Sequence, residues 1–272
     1  MTPLIKIRIF LRSFLLQAGW NFKRLQNIGF AFVMMPLLER IYSGPELKKA
    51  IKRHLETFNT QPFMASFAFG LVGKMEEDAA KLPEAEKEAA HERIRLTKQA
   101  VSMATAAIGD RLFWGTIRPL TLVAALAFWW IAGFRDWVAP FRSLQYCGCG
   151  VAIAGLVFAL VLYNLLPLIV RWKGIGFGHD CEGSKSCGID FLNWQKFIRL
   201  LRLFGFIAAV LLTVFAAVYY TSKIIVTPGH AITAMVAALV FLCAFAMRRF
   251  GWLNVYLYIG FLIIATAVSA FN

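Results

Sequence analysis

The sequence predicts an all-α, polytopic membrane protein with about five transmembrane helices and several re-entrant or broken helices in its N-terminal part. Three observations carry this. Of 272 residues, 59% are hydrophobic and 16% charged, whereas soluble domains run at about 45–50% and about 25%. Mean hydropathy is +0.63. Five apolar windows, at about 119–137, 147–170, 204–222, 230–247 and 253–271, each suit a helix crossing the hydrocarbon, which needs roughly 20 apolar residues. This composition excludes a disordered chain, a collagen-like chain and a disulfide-scaffold miniprotein. The net charge of +14 fits membrane lipids with anionic headgroups. Nucleic acid is not expected as a partner, because so apolar a chain leaves little soluble surface to bind it.

Residues 1–38 hold five Lys/Arg and no acid, and eleven of the fifteen acids lie between Glu39 and Asp110. The run after Lys6, Arg8 and Arg12 is too short for a signal peptide. Leu4, Ile7, Leu11, Phe14, Leu15 and Ala18 keep helical spacing, so 4–28 reads as a basic amphipathic helix, either packed on the protein or lying in the interface. Gly29–Leu38, Pro62–Met75 and Val101–Ile117 are apolar but too short or interrupted to be simple spans, and the last is expected to break at Gly109-Asp110-Arg111. Between the latter two, 76–98 reads as a solvated cytoplasmic helical hairpin, with Glu77–Lys81 and Glu92–Arg95 at pairing distance. The chain thus divides into 1–118, carrying the polar motifs, and 119–272, carrying the spans. The connection at 171–203 holds six basic residues (Arg171, Lys173, Lys185, Lys196, Arg199, Arg202). With Arg248 and Arg249 in another turn, it predicts a cytoplasmic N-terminus and an outward C-terminus.

Three polar constellations stand out. Glu56-Thr57-Phe58-Asn59-Thr60-Gln61-Pro62-Phe63 places amides, hydroxyls and a carboxylate beside aromatic rings. Asn59 or Thr60 would cap a half-helix starting at Pro62. Planar amides with aromatic faces suit sugar hydroxyls, and half-helix termini often line transport sites, although a plain helix cap has the same pattern. In Gly109-Asp110-Arg111-Leu112-Phe113-Trp114-Gly115-Thr116-Ile117-Arg118-Pro119, a carboxylate in an apolar stretch marks either a functional group or a structural ion pair with Arg111 or Arg118. The pairing Asp110–Arg118 is expected. Asn21, between Trp20 and Phe22, is a ligand group or an interhelix hydrogen bond. Asn164 and Pro167 sit inside a span and are expected to kink it. Cys181 and Cys187 with His179 lack a fourth ligand, so no metal is expected. Cys147-x-Cys149 begins a span, Cys243 fills apolar space, and His54, His91 and His230 show no partners in the sequence. No nucleotidase or hydrolase motif is present, and no catalytic residue or cofactor is expected.

Four stretches together resemble the IID subunit of the mannose/fructose/sorbose family of the bacterial phosphoenolpyruvate-dependent sugar phosphotransferase system. They are Phe10–Phe30 (FLRSFLLQAGWNFKRLQNIGF), Arg53–Phe63 (RHLETFNTQPF), Gly109–Pro119 (GDRLFWGTIRP) and Tyr163-Asn164 through Arg171. The close likeness covers about residues 10–178. The resemblance implies a bacterial cytoplasmic (inner) membrane subunit that pairs with a IIC subunit, the pairs assembling into trimers. A hexose-type sugar would bind at broken helices and be phosphorylated by a IIB subunit charged by IIA. The IID subunit carries no phosphorylated residue and is not an enzyme alone. The substrate-binding candidates are Asn59, Thr60, Gln61 and Asp110, with Asn21 and Glu56 in support. The chain departs from the family in three ways. Ala104-Thr-Ala-Ala-Ile108 replaces a Gly-Pro-Leu-Ala-Gly-like run, the later half is shorter, and the Cys181–Cys187 loop is unusual. The alternative is a diverged, non-transporting scaffold or sensor for phosphotransferase components.

Overall fold

The structure, a computed structural model, describes residues 1–131, 148–181 and 192–224. The spans expected at 230–247 and 253–271, and Cys147, Cys187, Cys243 and His230, lie outside the described residues. Every named element is a helix. These are α1 (Pro3–Ser13), α2 (Asn27–Ile41), α3 (Gly44–His54), α4 (Ala65–Ala79), α5 (Glu84–Gly109), a π-helical segment (Asp110–Ile117), α6 (Arg118–Ile131), α7 (Gly148–His179) and α8 (Trp194–Ile224). The chain forms two compact units, Met1–Gly205 and Phe206–Asn272. The described part of the second is the latter stretch of α8, which exposes Phe206, Ile207, Leu211 and Val214.

α4 is the hub of the first unit. Its Phe67, Ala68, Phe69 and Val72 are buried, and Phe30 of α2 packs its ring 4.4 Å from Phe58 and 5.3 Å from Phe69. α7 crosses α4 so closely that a methyl group on Gly70 would lie 2.2 Å from the Ile175 carbonyl oxygen. Likewise, a Cβ at Gly174 would lie 2.2 Å from Ser66 Oγ, and one at Gly178 would lie 2.2 Å from the Phe67 carbonyl oxygen. Gly174 and Gly178 form a small-xxx-small face that lets the two backbones approach, a contact suited to a membrane interior. Ser66 Oγ donates across the crossing to the Val170 carbonyl, at 3.2 Å.

Several expectations change. The basic helix read over 4–28 stops at Ser13, because Arg171 of α7 captures its C-terminus. The guanidinium donates to the Ser13 carbonyl and hydroxyl and lies 4.6 Å from the Phe14 ring. A cation there complements the helix dipole. The break expected at Gly109 is a π-helical stretch, so one helical path runs from Glu84 to Ile131. The basic connection at 171–203 is mostly helix: Arg171 lies within α7, and Lys196, Arg199 and Arg202 lie within α8. α7 continues past Pro167, and the Asn164 amide donates to the Leu160 carbonyl one turn earlier. Among the described residues, two helical stretches are long and apolar enough to cross a membrane, Glu84–Trp129 and Ile153–His179. In the hairpin formed by α4 and α5, Arg95 pairs with Glu92, but Lys81 pairs with Asp78. Glu77 turns instead to His179 of α7, at 2.9 Å.

Candidate functional site

The three polar constellations of the sequence meet in one seam. Residues 21–25 close a tight turn in which Asn21 and Leu25 exchange backbone hydrogen bonds of 3.0 and 2.9 Å. Asn21 fixes it: its Oδ1 accepts from the Arg24 amide at 2.8 Å, and its Nδ2 donates to Asn27 Oδ1 at 2.8 Å. Leu25 holds φ at 60°, a strained conformation for a branched side chain. The turn docks on residues 55–60. The Gln26 amide donates to the Phe58 carbonyl at 2.9 Å, and Asn27 Nδ2 donates to the Leu55 carbonyl at 2.9 Å.

Gln26 then does for Thr60 what a neighbouring strand would do. Its Oε1 accepts from the Thr60 amide at 3.0 Å, and its Nε2 donates to the Thr60 carbonyl at 2.8 Å. This satisfies a buried stretch of irregular backbone, which would otherwise be costly in an apolar interior. The Thr60 hydroxyl meets that of Thr105 on α5 at 2.7 Å, and the latter also bonds the Val101 carbonyl. Asn21 and Thr60 are therefore engaged by the protein's own polar groups. Gln26, which belongs to the Asn21 constellation of the sequence without being a binding candidate there, Asn27 and Thr105 complete the seam, and the last two were missed in the sequence. Gln26 and Asn27 had a visible signal as two adjacent amides before an apolar helix, whereas Thr105 stood alone among alanines.

Gln61 differs from its neighbours. Its Oε1 caps the approach to α4 by accepting from the Phe63 and Met64 amides at 2.7 and 3.2 Å. Gln61 thus takes the capping role expected of Asn59 or Thr60, and α4 begins three residues beyond Pro62. Gln61 is 2% exposed, yet its Nε2 has no hydrogen-bond partner among the described residues. Its side chain lies directly on Gly109, where a Cβ would come within 2.5 Å of Gln61 Cβ. Asp110 follows at once and is exposed, as is Asn59, while Glu56 is half-buried. The expected Asp110–Arg118 ion pair is not formed. Eight helical residues separate their backbones by about 12 Å, and the Arg118 guanidinium instead covers the Trp114 ring at 5.1 Å. Asp110, Trp114 and Arg118 share an outward strip of the π-helical segment and its junction with α6.

A second buried network lies further along α5. Glu76 has no exposed surface. Its carboxylate accepts from the Tyr42 hydroxyl at 2.8 Å and from Arg53 at 2.9 Å, and His54 Nε2 lies 3.1 Å away without hydrogen-bond alignment. Burial alone would raise the Glu76 carboxyl, but His54 and Arg53 outweigh it and hold it at about 2. Burial drives His54 below its ordinary value despite Glu76 beside it. Lys98 donates to the Arg53 carbonyl at 3.2 Å and faces the Phe30 ring at 5.3 Å. In the sequence Glu76 read as the first residue of a solvated hairpin. Its position at the end of an apolar run was the available signal.

The described fold is that of an all-helical membrane protein whose first part is organised around a buried polar seam. The profile of the PTS system mannose/fructose/sorbose family IID component matches residues 4–144. The chain belongs to this family. It is 35% identical over 191 residues to the mannose-specific EIID component of Escherichia coli K12, a match that covers 68% of the chain. It is 30% identical over 227 residues to the sorbose-specific EIID component of Klebsiella pneumoniae, covering 82% of this chain and 74% of that one. The chain spans 56% of the length of the Escherichia coli relative. Among solved structures, it resembles a chain of the mannose transporter ManYZ in complex with microcin E492, with TM-score 0.53 and 27% identity. That likeness covers 100% of this chain and 97% of the other. A second membrane protein structure gives TM-score 0.64 at 27% identity, covering 99% of this chain and 97% of the other.

Proposed function

We propose that the chain is the IID subunit of a sugar phosphotransferase permease in the bacterial inner membrane. It pairs with a IIC subunit to form the path along which a hexose-type sugar moves, coupled to phosphorylation by IIB, which IIA recharges. The pairs assemble into trimers, and the N-terminus faces the cytoplasm. In this reading Gln61 offers its free amide to the sugar, and Asn59 and Asp110 provide exposed polar groups on either side. Thr60, Asn21 and Glu56 shape the seam and hold it in place. The observation that carries the reading is the Gln61 amide, a buried donor with no partner among the described residues, which leaves a hydrogen bond for a ligand to make. Names of the relatives support sugar transport as the setting.

Vesicles containing this subunit with its IIC and IIB partners provide the test. Gln61→Ala is expected to raise the KM for sugar uptake about tenfold, the worth of one buried hydrogen bond, with assembly retained. Asn59→Ala and Asp110→Asn should each impair uptake. Unchanged uptake in all three variants, with normal assembly, would sink the site.

One observation favours a second reading, a non-transporting scaffold that docks phosphotransferase components. Ala104–Ile108 is regular helix within α5, where the family's Gly-Pro-containing run would disrupt it. Normal complex formation without sugar flux in the unmodified subunit would support the scaffold.

A further inference from the structure

A π-helical stretch of eight residues is unusual, because such turns seldom exceed a single bulge and concentrate at functional sites. Something must hold it against relaxation into the α-helices on either side. Two contacts on one face do so. The Thr116 hydroxyl donates to the Arg111 carbonyl five residues earlier, at 2.8 Å, spanning the same interval as the π hydrogen bond. That hydroxyl oxygen in turn accepts from Arg202 Nε of α8 at 3.2 Å. The same guanidinium lies against Gly115, where a Cβ would sit 3.3 Å from it. Thr116 is 4% exposed, so its hydroxyl has few other partners available.

We infer that Arg202, acting through Thr116, is a positioning residue that holds the π register and thereby sets the sugar-facing surface next to Gln61. The inference rests on the proposed sugar site. The segment joins two fixed points. At one end, Thr105 and Gly109 are seated on Thr60 and Gln61. At the other, Thr116 is tied to α8. Within it, Asp110 and Trp114 are exposed, as is Arg118 just beyond it, while Leu112, Phe113, Thr116 and Ile117 are buried. Changing from five-apart to four-apart bonding would rotate one fixed point against the other. Asp110 and Trp114, four apart, keep a common face in either register, but that face would turn relative to the end tied to α8. Arg202 touches no proposed sugar contact, so it acts only through the helix.

The test uses the full chain with its IIC and IIB partners and reads two quantities. Hydrogen exchange of the amides of 110–117 reports the π register without reference to transport, and the KM and kcat of sugar uptake report the site. Thr116→Val keeps the branched shape and removes the hydroxyl. Together with Arg202→Gln it is expected to speed exchange across 110–117 and raise KM about tenfold with little change in kcat. Thr116→Ser restores the hydroxyl and should restore both readouts. Unchanged exchange in Thr116→Val, or a Thr116→Ser variant as impaired as Thr116→Val, overturns the inference. So does faster exchange with an unchanged KM, provided that Gln61→Ala does raise KM. If Gln61→Ala also leaves KM unchanged, the sugar-site reading itself fails, and the positioning role falls with it.

Discussion

Glu76 is a carboxylate with no exposed surface, held by Tyr42, Arg53 and His54. A carboxyl lowered from 4.5 to about 2 on folding adds stability that is complete above pH about 4.5 and is lost as the pH falls toward about 2. The shift corresponds to about 3 kcal/mol. His54 acts in the same direction at higher pH. Its folded value is lowered, so protonation in the unfolded chain, below about pH 6.5, already favours unfolding. The melting temperature of the purified protein should therefore fall in two steps as the solution is acidified. Glu76→Gln should remove the lower step. At neutral pH it should cost about 1–3 kcal/mol, because the half-buried Arg53 loses its counter-charge. A Glu76→Gln protein that melts like the wild type at neutral pH would show that the network carries no such weight. Glu76 also shows what a sequence leaves open at this scale. An acid at the end of an apolar run looks the same whether it points to solvent or inward, and only Arg53, His54 and Tyr42, which lie 22–34 residues away in the chain, decide between them. Asn59, Thr60 and Gln61 were legible as a polar group. Which member stays unpaired was not, because that depends on Gln26 reaching Thr60 and not Gln61.

Among the elements, the crossing of α4 and α7 is the most demanding in shape. Gly70, Gly174 and Gly178 each sit where a Cβ would come within 2.2 Å of an atom on the other helix, and at Gly70 and Gly178 that atom is a backbone oxygen. A backbone oxygen cannot turn aside as a side chain can, so the helices would have to separate and lose contacts along their length. Gly70→Ala should destabilise the protein by about 1–3 kcal/mol, in the range of overpacked cores. Gly150→Ala, also in α7, meets nothing within 4 Å among the described residues and should leave stability within about 0.5 kcal/mol. Thermal melts of the two variants in the same detergent check the contrast, and equal melting temperatures would refute it. The apolar stretches that became α4 and α7 were visible from composition and length. Their partner was not, since a small residue in an apolar run marks a close approach only when the opposing backbone is known. The π-helical segment was hidden for a related reason. Gly109-Asp110-Arg111 has the residues of a helix break, and the contacts that keep the helix continuous come from Thr116 and from Arg202, 91 residues beyond Arg111.

At the scale of the whole molecule, the charge asymmetry finds a physical form in α1. Ile5 and Ile9 are buried against the protein, while Leu4, Ile7 and Leu11 are exposed on the opposite face. The packed reading of the amphipathic sequence is realised on one side of the helix, and the other side keeps an exposed apolar strip. An eleven-residue helix is about 16 Å long and too short to span. Arg8 is exposed, Arg12 lies over the exposed ring of Phe32 of α2, and no acid occurs in residues 1–38. An outward apolar strip bordered by cations suits a helix lying in the interface of a membrane with anionic headgroups. Each basic residue near such a surface adds about 1 kcal/mol. Spin labels on Ile7→Cys and Leu11→Cys in the full-length protein should read this directly. In vesicles of phosphatidylcholine mixed with phosphatidylglycerol, both labels should be shielded from water-borne relaxers and accessible to oxygen at shallow depth. In phosphatidylcholine alone, or with Arg8→Glu and Arg12→Glu together, they should move outward. Labels that stay water-accessible in the anionic vesicles would remove the lipid contact. The positive charge would then be left with the proposed topological role alone, in which basic segments stay on the cytoplasmic side.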